Sequence, residues 1–68
     1  MGWSSGTYLM QAIIEFASKY VSDETARTSF YMDMIAALQD MDWDCENECA
    51  GMDLAYDAAL REMHLVEE

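Results

Sequence analysis

Sixty-eight residues carry 14 acidic side chains against three basic ones and one histidine, a formal net charge of −11. A chain this short and this acidic has room for one domain, spanning 1–68, and lacks the cationic face that binding to a phosphate backbone requires. With 53 % hydrophobic residues, no proline and three glycines, it is neither a low-hydrophobicity disordered sequence nor a collagenous or turn-rich all-β one.

The N-terminal stretch Met1-Gly2-Trp3-Ser4-Ser5-Gly6 has no basic region and no small-residue cleavage site, so no signal peptide is expected. The uncharged run from Met1 to Ile14 is too short to span a bilayer. Cys45 and Cys49 are too few for a secreted disulfide scaffold and, one helical turn apart, poorly placed to bridge each other. Free thiols in the cytoplasm are the simple expectation.

Helix one is predicted over 7–21. Tyr8, Leu9, Ala12, Ile13, Phe16, Ala17, Tyr20 and Val21 recur at i, i+3, i+4 spacing, which predicts a core-facing stripe. Met10 and Ile14 lie off that stripe, making the helix apolar over a wide arc. Ser4 or Ser5 is the candidate N-cap. Ser22 and Asp23 then offer a second cap, with Glu24 favourably placed in the first turn of helix two, which runs to about Met41. Ala26, Phe30, Met34, Leu38 and Met41 form its predicted inner row, with Tyr31 and Ile35 beside it. The short link predicts an antiparallel helical hairpin.

Within the segment from Asp40 to Asp53, the polar alternation from Asp40 to Glu48 suggests a strand, but Asp, Glu and Asn are poor strand formers and no partner strand is in sight. It reads better as a short helical turn through Cys49, capped by Asp42 or Asp44 and closed by Gly51 in the left-handed conformation. Asp53 would cap a last helix over 54–64, burying Tyr56, Ala59, Leu60 and Met63 and offering Arg61 to Asp57. Residues 66–68 are expected to fray. No internal repeat stands out. The predicted fold class is therefore all-α, a small helical bundle.

Charge is uneven. Residues 1–32 carry three acids against Lys19 and Arg27, whereas residues 33–68 carry eleven acids against Arg61 alone. A calcium loop counted from Asp42 puts Asn47 where glycine is wanted and Asp53 where a bidentate Glu is wanted, a weak match. A zinc site from Cys45, Cys49 and His64 fits no common spacing, and excess carboxylate favours harder cations. No phosphate loop, HExxH or Ser/His/Asp arrangement is present, so neither catalysis nor a cofactor is expected.

Three readings of the acidic half remain: solubility, steering toward a basic partner, and mimicry of a phosphate backbone. Under the last, Asp40, Asp42, Asp44, Glu46, Glu48, Asp53 and Asp57 meet the lysines and arginines of a host nucleic-acid groove, with Trp43 as a contact anchor or, equally, a plug between helices two and three.

Met1-Gly2-Trp3-Ser4-Ser5-Gly6, Asp42-Trp43-Asp44, and Glu48-Cys49-x-Gly51-x-Asp53-x-x-Tyr56-Asp57-x-Ala59-Leu60-x-Glu62-x-His64 together resemble small acidic proteins encoded by bacteriophages and prophages. Residues 10–40 match only in apolar pattern, and Leu54 stands where the relatives often carry proline. The resemblance implies a phage context, in which small acidic proteins inhibit host defence or nucleic-acid enzymes. It assigns no role to any residue. The resulting expectation is an inhibitor of a host basic nucleic-acid-binding protein, of the anti-CRISPR or anti-restriction type. It would bind neither nucleic acid nor membrane directly. The alternative is an oligomeric phage structural or assembly accessory that binds through its apolar helix surface. For so small and Met-rich a chain, self-association through helix one is expected on either reading.

Overall fold

Helix boundaries in this chain follow from a few aspartates and three left-handed residues. The computed structural model describes residues 4–65. Among them lie α1 (Ser4–Tyr20), α2 (Glu24–Gln39), a 3-10 turn (Glu46–Cys49) and α3 (Leu54–Glu62), with no strand. The all-α class stands. The expectation for residues 66–68 falls outside the described residues.

Asp23 caps α2 by accepting from the Thr25 N–H, and Asp53 caps α3 by accepting from the Ala55 N–H, both at 3.0 Å. Each satisfies one backbone donor that the first helical turn leaves free. α1 starts at Ser4, ahead of the expected residue 7, so Ser4 and Ser5 lie inside the helix. Neither Asp42 nor Asp44 caps the 3-10 turn; its N-cap position is Cys45, which makes no side-chain cap bond.

Asp42 closes α2 instead. At φ 69° it is left-handed, and the Trp43 N–H reaches back to the Leu38 carbonyl (3.1 Å) while the Asp42 N–H reaches Gln39 (3.0 Å). This is a Schellman closure, in which buried Leu38 and Trp43 supply the accompanying apolar contact positions. α3 ends the same way. His64 has φ 59°, the Leu65 N–H meets the Leu60 carbonyl (2.9 Å), and the His64 N–H meets Arg61 (3.0 Å). The two endings have Ala-Ala-Leu at 36–38 and 58–60 and Met at 41 and 63 in common. Gly51 is left-handed as expected, at φ 89°.

The core is one cluster that includes Met10 and Ile14 of α1, Tyr31, Ile35 and Leu38 of α2, and Ala55, Tyr56, Ala59 and Leu60 of α3, together with Trp43 and Cys49. α2 packs more extensively on α3 than on α1, so the first two helices are not the dominant hairpin. The inner face of α1 is also rotated from expectation. Thr7, Met10, Ile14 and Ala17 point inward, while Tyr8, Leu9, Phe16 and Tyr20 are exposed. The wide apolar arc explains the error, because periodicity finds such an arc without saying which part of it meets the core. Phe30 of α2 and Met41, beyond its C-terminal end, are likewise exposed rather than inner.

Candidate functional site

The acidic connector between α2 and α3 is held by buried partners. Trp43 is 1 % exposed, and its indole N–H donates to Thr7 Oγ1 on α1 at 3.1 Å. Gln39 Nε2 donates to Glu46 Oε2 at 2.7 Å. The Tyr56 hydroxyl donates to the Glu46 carbonyl at 2.8 Å. The Gly51 N–H donates to Asp57 Oδ1 at 2.9 Å. Among the described residues, every buried side-chain nitrogen and oxygen has a hydrogen-bond partner.

These bonds divide the acidic residues expected to bind a partner. Asp40, Asp42, Asp44 and Glu48 are exposed. With Trp43 turned inward, its neighbours Asp42 and Asp44 face outward and help line a shallow groove with Gln39 and Glu46. Glu46 is buried, and Asp57 is engaged with Gly51. Trp43 is enclosed by the fold, reaching α1, and offers no surface for anchoring a partner.

Asp53 is a structural hub. Its carboxylate accepts from Arg27 Nε (3.0 Å) and Nη2 (3.2 Å), from the Tyr31 hydroxyl (2.8 Å) and from the Ala55 N–H (3.0 Å). Arg27 Nη1 also donates to the Val21 carbonyl at 2.8 Å, tying in the α1–α2 link. Burial pushes the Asp53 carboxyl up, but the bonds from Arg27, Ala55 and Tyr31 and the nearby guanidinium charge outweigh it and hold it below its ordinary value. The sequence reading missed Arg27 and Tyr31 because they lie 26 and 22 positions from Asp53. The available signal was scarcity: one of only three basic residues sits at the start of α2.

Tyr31 is held far above its ordinary range, first by burial and then by its bond to Asp53. For Tyr56, burial followed by the charges of Cys49, Glu46 and Asp57 has the same effect. Burial, Glu48 and Asp44 push the half-buried Cys45 thiol up, and burial with Glu48 does so for Cys49. Both cysteines are free, and neither is placed as an activated thiolate. Among the described residues, no group of three or more His, Cys, Asp or Glu side chains converges as metal ligands. Nor is any described helix long and apolar enough to cross a membrane.

The opposite character appears along α1. Ile13, Phe16, Ala17, Tyr20 and Val21 form an apolar groove with Phe30 of α2, about 360 Å³ in volume. Lys19 lies at its margin, with Nζ 5.7 Å from the centre of the Tyr20 ring. Comparison with known proteins gives no matching family model, no similar curated protein and no similar solved structure.

Proposed function

We propose that the protein is a non-catalytic, phage-encoded inhibitor that presents Asp40, Asp42, Asp44 and Glu48 to the basic groove of a host nucleic-acid-handling or defence protein. The supporting observation is where these carboxylates stand. Asp40 and Asp42 crowd the C-terminal end of α2, whose last turn contains no basic residue. The helix dipole already places negative charge there, so each added carboxylate costs about 0.3–1 kcal/mol. Solubility alone does not require that position, since acids at helix N-termini solubilise equally well and stabilise the helix. Local rule-breaking of this kind is expected where a surface serves a partner. The buried Trp43 and the Gln39–Glu46 bond keep the patch ordered, which limits the entropy lost on binding.

The test is a charge reversal of all four exposed residues to Lys, leaving Glu46, Asp53 and Asp57 in place. Unchanged helicity with loss of a salt-sensitive host partner supports the mechanism. So does displacement of nucleic acid from that partner by the unaltered protein. A partner still bound by the reversed variant, or retained at high salt, refutes it. The second outcome would favour an assembly accessory that binds through the exposed face of α1.

A further inference from the structure

α1 carries two apolar seams. The inner one, Thr7, Met10, Ile14 and Ala17, is buried in the core. The outer one, Leu9, Ile13, Phe16 and Tyr20, advances in steps of four, three and four residues, the spacing by which one helix packs along another. At 3.6 residues per turn it lies roughly 110° around the helix from the inner seam. Leu9 is 44 %, Phe16 55 % and Tyr20 76 % exposed, and Phe30 of α2 flanks the same groove at 40 %. The outer seam contains no charged residue.

We propose that the outer seam is a homodimer interface in which α1 packs antiparallel against α1 of a second copy. The spacing of the seam is symmetric about its midpoint, between Ile14 and Glu15. A two-fold axis there sets Leu9 against Tyr20 of the partner and Ile13 against its Phe16, a self-complementary arrangement. Electrostatics selects the direction. The acidic connector is anchored at the N-terminal part of α1, through Trp43 and Cys49 against Thr7. In a parallel pair the two connectors would lie side by side. In the antiparallel pair the two Thr7 positions are about 22 Å apart along the axis at 1.5 Å per residue. That distance is more than two Debye lengths of about 8 Å at physiological salt.

The area suits a weak pair. Leu9, Phe16, Tyr20 and Phe30, at their observed exposures, offer about 400 Å² per copy, given that aromatic side chains bury about 150–250 Å² each. Two copies therefore remove about 800 Å², in the range of weak, transient association. The dimer is accordingly concentration-dependent rather than obligate. This inference does not depend on the carboxylate reading.

Sedimentation equilibrium over a concentration series tests it, using the full chain and Phe16→Asp, whose side chain is exposed and outside the core. The unaltered protein should follow a monomer–dimer equilibrium, and the variant, with unchanged circular dichroism, should dissociate at least about tenfold more readily. Orientation is read from distances between spin labels in a Cys45→Ser background. Labels at Glu15→Cys, level with the two-fold axis, should be nearer each other than labels at Tyr8→Cys, which lie about 20 Å apart along the helix direction. A monomer throughout the series, a dimer indifferent to Phe16→Asp, or equal label distances at the two positions each overturn the proposal.

Discussion

Removing the Asp53 carboxylate should cost a large share of the stability of this protein. Asp53→Ala deletes the cap of α3, worth about 1 kcal/mol. It also strips Arg27 and the Tyr31 hydroxyl of their shared acceptor in a site where the Asp53 side chain is only 6 % exposed, which adds about 2 kcal/mol. The total, about 3 kcal/mol, compares with roughly 3–10 kcal/mol for a chain of this length at about 0.05–0.15 kcal/mol per residue. Urea titration followed by tryptophan fluorescence and by helicity measures the loss. Asp57→Ala, which removes only the bond to the Gly51 N–H, is the control and should cost about 1 kcal/mol. The pH dependence supplies a second arm. Because the folded Asp53 carboxyl is held below its ordinary value, its contribution is complete above the unfolded value of about 3.9. It is lost as pH falls through the lower folded value. The gap between wild type and Asp53→Ala should therefore narrow on acidification. A cost no greater than that of the Asp57 control, or a gap that widens toward acid, would refute the hub assignment.

At the helix ends, His64→Gly should relieve a left-handed side-chain residue and stabilise by about 1 kcal/mol, a rise of about 4–8 °C in Tm by calorimetry. Gly51→Ala should have the opposite sign and similar size, since an added Cβ meets nothing within 4 Å and only backbone strain acts. In alkali, buried Tyr31 and Tyr56 keep their protons past the ordinary value of 10.0. The stability they confer is complete below that value and lost as pH rises through the higher folded values, so Tm should fall from about pH 10 upward, less steeply in Tyr31→Phe. Sodium chloride at neutral pH should raise Tm by screening the connector carboxylates, and the four-residue Lys variant should lose most of that response in a thermal scan.

Local signals in the sequence located α3 and its N-terminal border, while the helix ends at Glu62 rather than at residue 64. Asp53 before an amphipathic stretch and Gly51 before it are short-range features whose geometry depends on adjacent backbone alone, and both behave as read. α1 was harder, because Met10 and Ile14 are as apolar as Leu9 and Phe16. Long-range contacts, among them the bonds from Trp43 and Cys49 to Thr7, fix which face turns inward. The connector was legible as polar alternation, yet whether that meant a strand, a cap or an alternating in-and-out path depended on burial of the indole. The acidic site was half legible. Charge identified the segment, but separating exposed Asp40, Asp42, Asp44 and Glu48 from the structural Glu46, Asp53 and Asp57 required partners up to 26 residues away.

The two surfaces constrain each other. A core this small leaves the aromatic side of α1 uncovered, and covering it with a second copy brings two strongly acidic chains together. That is tolerable only where the interface is uncharged and the acidic connectors diverge, conditions met by the antiparallel seam and by no parallel one. The same geometry leaves the carboxylates at opposite ends of the pair, so covering the apolar seam does not occlude Asp40, Asp42, Asp44 or Glu48. Each end then remains available to its own basic partner surface. Salt should accordingly weaken partner binding, where opposite charges meet, while having little effect on dimerisation, where apolar contact dominates and like charges are already separated.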